Sequence, residues 1–290
     1  MHGAGSQIVF VQRLTVPEYA ETVRSILGVD VLELAQQTLP ADLRADGFSN
    51  TAYNLTVDLA HIEGFAKLAE SITQQLDIAT IVRRYTRSRE LSDENVEKFI
   101  KPFGRLMLRG PISDAEKQIF LGVSTSVAAG GGDFDEAVRH VIAAMLQSPR
   151  FLYRMELQRG DGTAWPVNAH ELASRLSYIL WGGPPDEPLL AAADKGELSG
   201  NALQEQVERM LLDERAVRRS KQFVSEWLNL NHLRNLQPDA ERFPKWDPQL
   251  AQDMQAETLA YFEEILWTQN RPLADLLNAQ VALVTPRLAA

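Results

Sequence analysis

The chain has 290 residues, 45% hydrophobic and 23% charged, which is enough apolar material for a folded core in about two or three domains. Its formal net charge of −10 repels phosphate backbones and anionic lipid surfaces, so nucleic acid and membrane surfaces are set aside as partners. There is no cysteine, which excludes disulfides, thiolate metal sites, cysteine nucleophiles and covalent haem attachment within this chain.

In chain order, Ile8–Val11 is the first β-type run, and it is too short and isolated to found a sheet. Thr15-Val16-Pro17-Glu18 reads as a capping box, in which hydroxyl and carboxylate satisfy free N–H groups at a helix start. That helix stops at Gly28, and Gly47-Phe48-Ser49-Asn50 is a turn-rich loop. A long helix is expected from about Thr56 to Leu76, with Ile62, Phe65, Ala69, Ile72 and Leu76 on one face. Arg83 to Leu91 is charged and weakly patterned, as at a boundary. Ser92 caps the next helix, whose stripe is Val96, Phe99, Ile100, Phe103 and Met107, and Gly110-Pro111 breaks the chain.

Ser113 with Glu116 makes a second capping box, for a helix to about Ala129. Asp133 starts another, with Phe134, Val138, Val141 and Met145 aligned, ending at Pro149. Gly160-Asp161-Gly162 marks a second boundary. Asn168 with Glu171 gives a third capping box, followed by a stripe of Leu172, Leu176, Ile179 and Leu180. Helices follow at 187–195, 201–212 and 214–229, the last bearing Phe223, Val224, Trp227 and Leu228. Asp247-Pro248 opens a final long helix to about Thr268. The expected fold is all-α, an array of three helical segments at residues 1–88, 89–160 and 161–290.

No apolar window is long enough to cross a bilayer, and no signal peptide opens the chain. His2, His61, His140, His170 and His232 include no helical pair, so no metal site is expected; Asp58/His61 and Glu136/His140 read as ordinary surface pairs. G-x-S-x-G is missing, and Gly130-Gly131-Gly132 lacks the Lys-Ser/Thr and the preceding strand that phosphate cradles require. The informative stretches join arginine to aromatics: Arg150-Phe151-Leu152-Tyr153-Arg154, and Arg175 with Tyr178 and Trp181. An arginine among apolar groups needs a carboxylate, and Glu171 lies one turn before Arg175. Arg175 is therefore expected to pair with Glu171 or with a carboxylate from another segment.

The same stretches carry a resemblance. Leu14-Thr15, Glu18-Tyr19, Thr22-Val23-Arg24 and the loop ending in Asn50 resemble the first domain of a planctomycete-type family of bacterial multidomain proteins of unknown function. Phe103-Gly104-Arg105, Asp133-Phe134 and Ser148-Pro149-Arg150-Phe151-Leu152-Tyr153-Arg154 are similar to its second domain. Glu171-Leu172-Ala173-Ser174-Arg175, Leu180-Trp181-Gly182 and Trp227-Leu228 are similar to its third. The family occurs with c-type cytochrome modules, and its members typically continue into a CxxCH region and carry a secretion signal. Here the third domain ends near Ala290, and Leu106 to Pro111 is less basic than the family pattern.

The resemblance implies a periplasmic or other extracytoplasmic setting. It implies a c-type cytochrome domain as partner, in cis or in trans, with haem c in a region C-terminal to this chain and no cofactor within it. The leading expectation is a non-catalytic helical module that positions a haem domain or partner. The alternatives are an oxidoreductase-linked enzyme with an interhelical site near Arg150, Arg154, Glu171 and Arg175, and a plain interaction module. Glu18, Arg24, Asn50, Arg150, Tyr153, Arg154, Glu171, Arg175, Trp181 and Trp227 are the candidate structural or interface residues.

Overall fold

The computed structural model describes residues 7–44, 47–51, 55–159 and 166–289. The expected break at Gly160-Asp161-Gly162 and the opening residues 1–6 lie outside them. The described chain is predominantly helical, with one two-stranded antiparallel ribbon.

The elements run β1 (Gln7–Arg13), α1 (Val16–Leu27), α2 (Leu32–Thr38), α3 (Leu59–Gln74), α4 (Ile78–Val82), α5 (Asp93–Met107), α6 (Asp114–Ala129), α7 (Phe134–Leu146), α8 (Pro149–Leu152) and β2 (Tyr153–Arg159). They continue with α9 (Ala169–Leu180), α10 (Glu187–Asp194), α11 (Gly200–Leu211), α12 (Glu214–Trp227) and α13 (Pro248–Glu263). The three expected capping boxes are present at Thr15/Glu18, Ser113/Glu116 and Asn168/Glu171. Each settles two otherwise unpaired N–H groups and so fixes where its helix begins. Gly28, in the left-handed region at φ 75°, closes α1 and donates to Arg24 O.

The isolated Ile8–Val11 run does found a sheet. It forms part of β1, which pairs with β2 in a register from Gln7↔Arg159 to Arg13↔Tyr153. The partner is far along the chain, so local pattern gave it no mate. The expected stripe of α3 holds at Phe65, Ala69, Ile72 and Leu76 but not at Ile62, and that of α9 shifts in phase. In α3 the buried face is Phe65, Leu68, Ala69 and Ile72, while Ile62 is 59% exposed. Asp58 caps the helix by accepting from His61 N at 3.0 Å, and Ile62 lies outside the arc centred on Phe65, Leu68, Ala69 and Ile72. In α9 the buried residues are Ala173, Ser177 and Tyr178, and Ile179 is 57% exposed. Burial of the large Tyr178 ring sets the rotation of that helix.

The chain divides into two compact units. One comprises Met1–Leu43 and Asn50–Val207, the other Arg44–Ser49 and Glu208–Ala290. In the first, helices α1 to α7 enclose a continuous core, which Phe151 and Tyr178 also enter. Tyr19 meets Phe65 and Phe151 edge-on or tilted, at 5.3 and 5.8 Å between centroids, a favoured aromatic geometry. In the second, α12 packs on α13, and Trp267 Nε1 donates to Ser220 Oγ at 2.9 Å. Ser49 Oγ donates to the buried Glu226 at 2.7 Å. Phe223 and Trp227 are exposed on α12 and stack on each other, with Phe48 stacked on Phe223.

Helices α2 and α3 approach closely at Gly64. A Cβ there meets Leu39 Cδ2 at 2.8 Å and the Thr38 carbonyl at 3.1 Å. Helix propensity alone favours valine over glycine slightly, whereas overpacking dominates in a filled interior. Gly64→Val is therefore expected to destabilise the fold by about 1–3 kcal/mol, read as a lower urea midpoint.

Candidate functional site

Helix α5 ends in a Schellman turn: Gly110 N donates to Arg105 O at 2.9 Å and Arg109 N to Leu106 O at 3.4 Å. The left-handed position of such a turn normally belongs to glycine, and here it is Arg109, at φ 59°. A non-glycine residue in that region costs roughly 1 kcal/mol or more, so the side chain must return something.

What it returns is hydrogen bonding at α8. A helix of one turn leaves all its carbonyls without intrahelical donors beyond the first. Pro149 O accepts from Tyr153 N, and Leu152 O accepts from Leu14 N at 2.8 Å. The other two go to Arg109: its Nη2 donates to Arg150 O and its Nη1 to Phe151 O at 3.1 Å. Nη2 also donates to Tyr153 O at 2.6 Å, and Nη1 to the Tyr178 hydroxyl at 3.3 Å. The planar guanidinium fork suits this task, because it serves several acceptors from one fixed group.

Tyr178 lies between two guanidinium groups. Arg109 Cζ is 5.6 Å and Arg154 Cζ 5.5 Å from its ring centroid, within cation–π range. Its hydroxyl also bonds Thr22 Oγ1 at 2.9 Å, and Thr22 Oγ1 donates back to Glu18 O at 2.6 Å. Burial pushes the Tyr178 phenol above its ordinary pKa, against the pull of Arg109. Burial likewise draws the Arg109 guanidinium below its ordinary value; Tyr178 opposes this, and the like charges of Arg150 and Arg154 add to it. Among the described residues no carboxylate lies within ion-pair distance of Arg109. Carbonyl dipoles and a ring face carry its charge.

Beside this joint lies a cleft of about 290 Å³, bordered by Arg109, Arg150, Tyr153, Met155, Glu156 and Glu171. Arg150 pairs with Glu116 at 2.9 Å and donates to Pro111 O and Leu108 O, both at 3.0 Å. Arg175 does not border the cleft. Its Nε donates to Glu156 Oε1 at 3.0 Å, and its Nη2 bonds the second oxygen. The carboxylate thus comes from β2. Glu171 instead accepts from Asn168 N at 2.8 Å, as its capping role requires. His170, at the mouth, bonds Asp194 at 2.8 Å, and Asp194 also pairs with Arg105.

Of the other candidates, Glu18 is buried in the first turn of α1, and Arg24 makes an exposed pair with Glu21. Asn50 accepts through its backbone carbonyl from Gln12, whose side chain also accepts from Arg154. Trp181 is buried at the end of α9, and Trp227, 60% exposed, belongs to the other unit. The structure therefore gathers Glu18, Arg150, Tyr153, Arg154, Glu171 and Arg175 around one joint and leaves Arg24 and Trp227 away from it. Sequence reasoning missed Arg109. The available signal was a lone cation in Leu106-Met107-Leu108-Arg109-Gly110-Pro111, directly after an apolar stripe. Among the described residues no group of three or more His, Asp or Glu is placed to hold a metal ion, and no helix is long and apolar enough to cross a membrane.

Three family models match the chain: PSD3, protein of unknown function (DUF1587), over residues 12–77; PSD5, protein of unknown function (DUF1595), over residues 95–156; and PSD4, protein of unknown function (DUF1592), over residues 167–290. The chain carries three planctomycete-type domains of unknown function in tandem. No curated protein and no solved structure matches it. Thr22 comes from the PSD3 match, Arg109 from the PSD5 match and Tyr178 from the PSD4 match. The Tyr178 hydroxyl is thus a point where all three meet.

Arg109→Gly separates backbone from side chain at this joint. On backbone grounds alone it stabilises, by relieving the left-handed strain. Because it strips donors from four buried acceptors, a net loss of about 3 kcal/mol is expected in urea unfolding. Arg175→Ala is expected to cost about 1–2 kcal/mol, more than an exposed pair, because Glu156 is buried although Arg175 is 42% exposed. Adding Glu156→Gln to that variant should recover part of the loss in a double-mutant cycle.

Proposed function

We propose that this chain is a non-catalytic scaffold, whose three domains are fastened at the Tyr178 joint in order to position a partner domain. One observation carries the reading. The arginines that an enzyme would turn toward substrate are already engaged by groups of the chain itself, with Arg109 on the carbonyls of α8, Arg150 on Glu116 and Arg175 on Glu156. Groups held this way resist the reorganisation that proton transfer or substrate contact demands, and they are the means by which distant segments are fixed.

The partner is a c-type cytochrome domain, in cis or in trans, in an extracytoplasmic compartment. The family resemblance supports this, since such domains accompany cytochrome modules. The donor set of this chain agrees with haem being carried elsewhere, because thioether attachment needs cysteine and the sequence has none.

The test is purification of the natural protein from its source cells through an affinity tag, followed by haem staining after denaturing electrophoresis. Covalent haem on the same polypeptide, or on one that co-purifies, is the expected result. Haem on neither would remove the cytochrome part of the reading. A turnover activity abolished by Arg150→Lys or Glu171→Gln, with folding intact, would remove the non-catalytic part.

A further inference from the structure

The charged side chains that border the cleft are committed within the chain. The four terminal N–H groups of Arg109 go to Arg150 O, Phe151 O, Tyr153 O and the Tyr178 hydroxyl. Arg150 is held by Glu116 and by Pro111 O and Leu108 O. Arg175 takes both oxygens of Glu156, and Glu171 accepts from Asn168 N. An ionic ligand would have to break one of these pairs and leave its former partner uncompensated, a costly exchange in a partly buried place. The cleft therefore suits a neutral molecule.

Four bordering residues keep neutral polar groups uncommitted. Asn168 Oδ1 accepts from Glu171 N at 2.9 Å, which fixes the orientation of the amide and leaves Nδ2 as a donor without a partner among the described residues. His170 Nε2 bonds Asp194 Oδ1 at 2.8 Å. A carboxylate there holds the proton on Nε2, so the neutral ring presents Nδ1 as an acceptor. That ring is seated against Gly110, where an added Cβ would stand 3.3 Å from its Cγ and Cδ2, and Nδ1 lies on the opposite edge. Tyr153 and Ser174 each carry a hydroxyl with no partner among the described residues; Tyr153 serves Arg109 through its backbone carbonyl, not its phenol. Leu108 and Met155 add apolar surface to the lining. Tyr153 stands in the PSD5 match and the other three in the PSD4 match, so the groups come from two domains.

We propose that the cleft binds a small neutral molecule rich in hydroxyl groups, about the size of one sugar ring, through Tyr153, Asn168, His170 and Ser174. A fixed donor, a fixed acceptor and two hydroxyls that serve as either form a set that ligand hydroxyls satisfy, because each of those is also donor and acceptor. The volume of about 290 Å³ lies at the small end of ligand sites, about 300–1,000 Å³, which admits one ring and not a chain. Leu108 and Met155 suit the C–H faces of such a ring. This goes beyond the scaffold reading and does not rest on it.

The probes are glucose, galactose, mannose, N-acetylglucosamine, myo-inositol and glycerol, titrated singly into the full chain while the Asn168 side-chain amide is followed by NMR. Glucuronate and glucosamine serve as charged counterparts of the same shape. The expected result is a saturable shift of that amide with at least one neutral probe, and binding at least tenfold weaker for the charged pair. Tyr153→Phe and Ser174→Ala each remove one hydroxyl and should weaken binding about threefold to tenfold. Both variants keep the fold, since neither hydroxyl has a partner among the described residues and alanine favours a helix more than serine does. The proposal is overturned if no neutral probe saturates, if saturation leaves the Asn168 amide unmoved, if a charged counterpart binds as tightly, or if neither variant weakens binding.

Discussion

A buried guanidinium without a carboxylate is the constraint on which the first unit is organised. Arg109 accepts a left-handed backbone at the end of α5 and spends its donors on the carbonyls of a one-turn helix and the hydroxyl of Tyr178. A buried cation is ordinarily tolerated only with an ion-pair partner. Here the compensation is spread over three carbonyl dipoles, a phenol and an aromatic face. Those groups come from distant parts of the chain, so the joint forms only when α1, α5, α8 and α9 are all in place.

The consequence is cooperativity among domains that family models delimit separately. Thr22, Arg109 and Tyr178 stand in three different matches and share hydrogen bonds. The β1–β2 ribbon adds a second link, between residues flanking the first match and the end of the second. Arg175 and Glu156 add a third, from α9 to β2. Mechanical coupling of this kind suits a part that holds others in position.

Local signals were legible wherever a few consecutive residues settle the physics. Thr15/Glu18, Ser113/Glu116 and Asn168/Glu171 were readable as caps because hydroxyl or amide and carboxylate stand at fixed offsets from the first helical turn. The stripes of α5 and α7 were readable because both helices are buried along one uninterrupted face. The stripe of α9 was misread by a rotation, and that of α3 only at Ile62, since Phe65, Ala69, Ile72 and Leu76 are buried as expected. Apolar spacing alone does not say which of two adjacent arcs faces the core, and Ile62 and Ile179 were placed on the wrong one. Within the candidate site, Arg150, Tyr153, Arg154, Glu171 and Arg175 were recognisable as arginine–aromatic and arginine–carboxylate stretches. Which carboxylate each arginine takes was not.

The sequence by itself determined the helical class, the helix starts marked by capping boxes, and the impossibility of thioether-bound haem within these residues, since each depends on residue identity or on contacts within a turn or two. Tertiary structure alone decided that Ile8 to Val11 has a strand partner, that Glu156 rather than Glu171 holds Arg175, and that Arg109 is interior. Those outcomes turn on groups brought together from far along the chain. Their pairing is set by how the helices pack, and a linear pattern carries no record of which surfaces will meet.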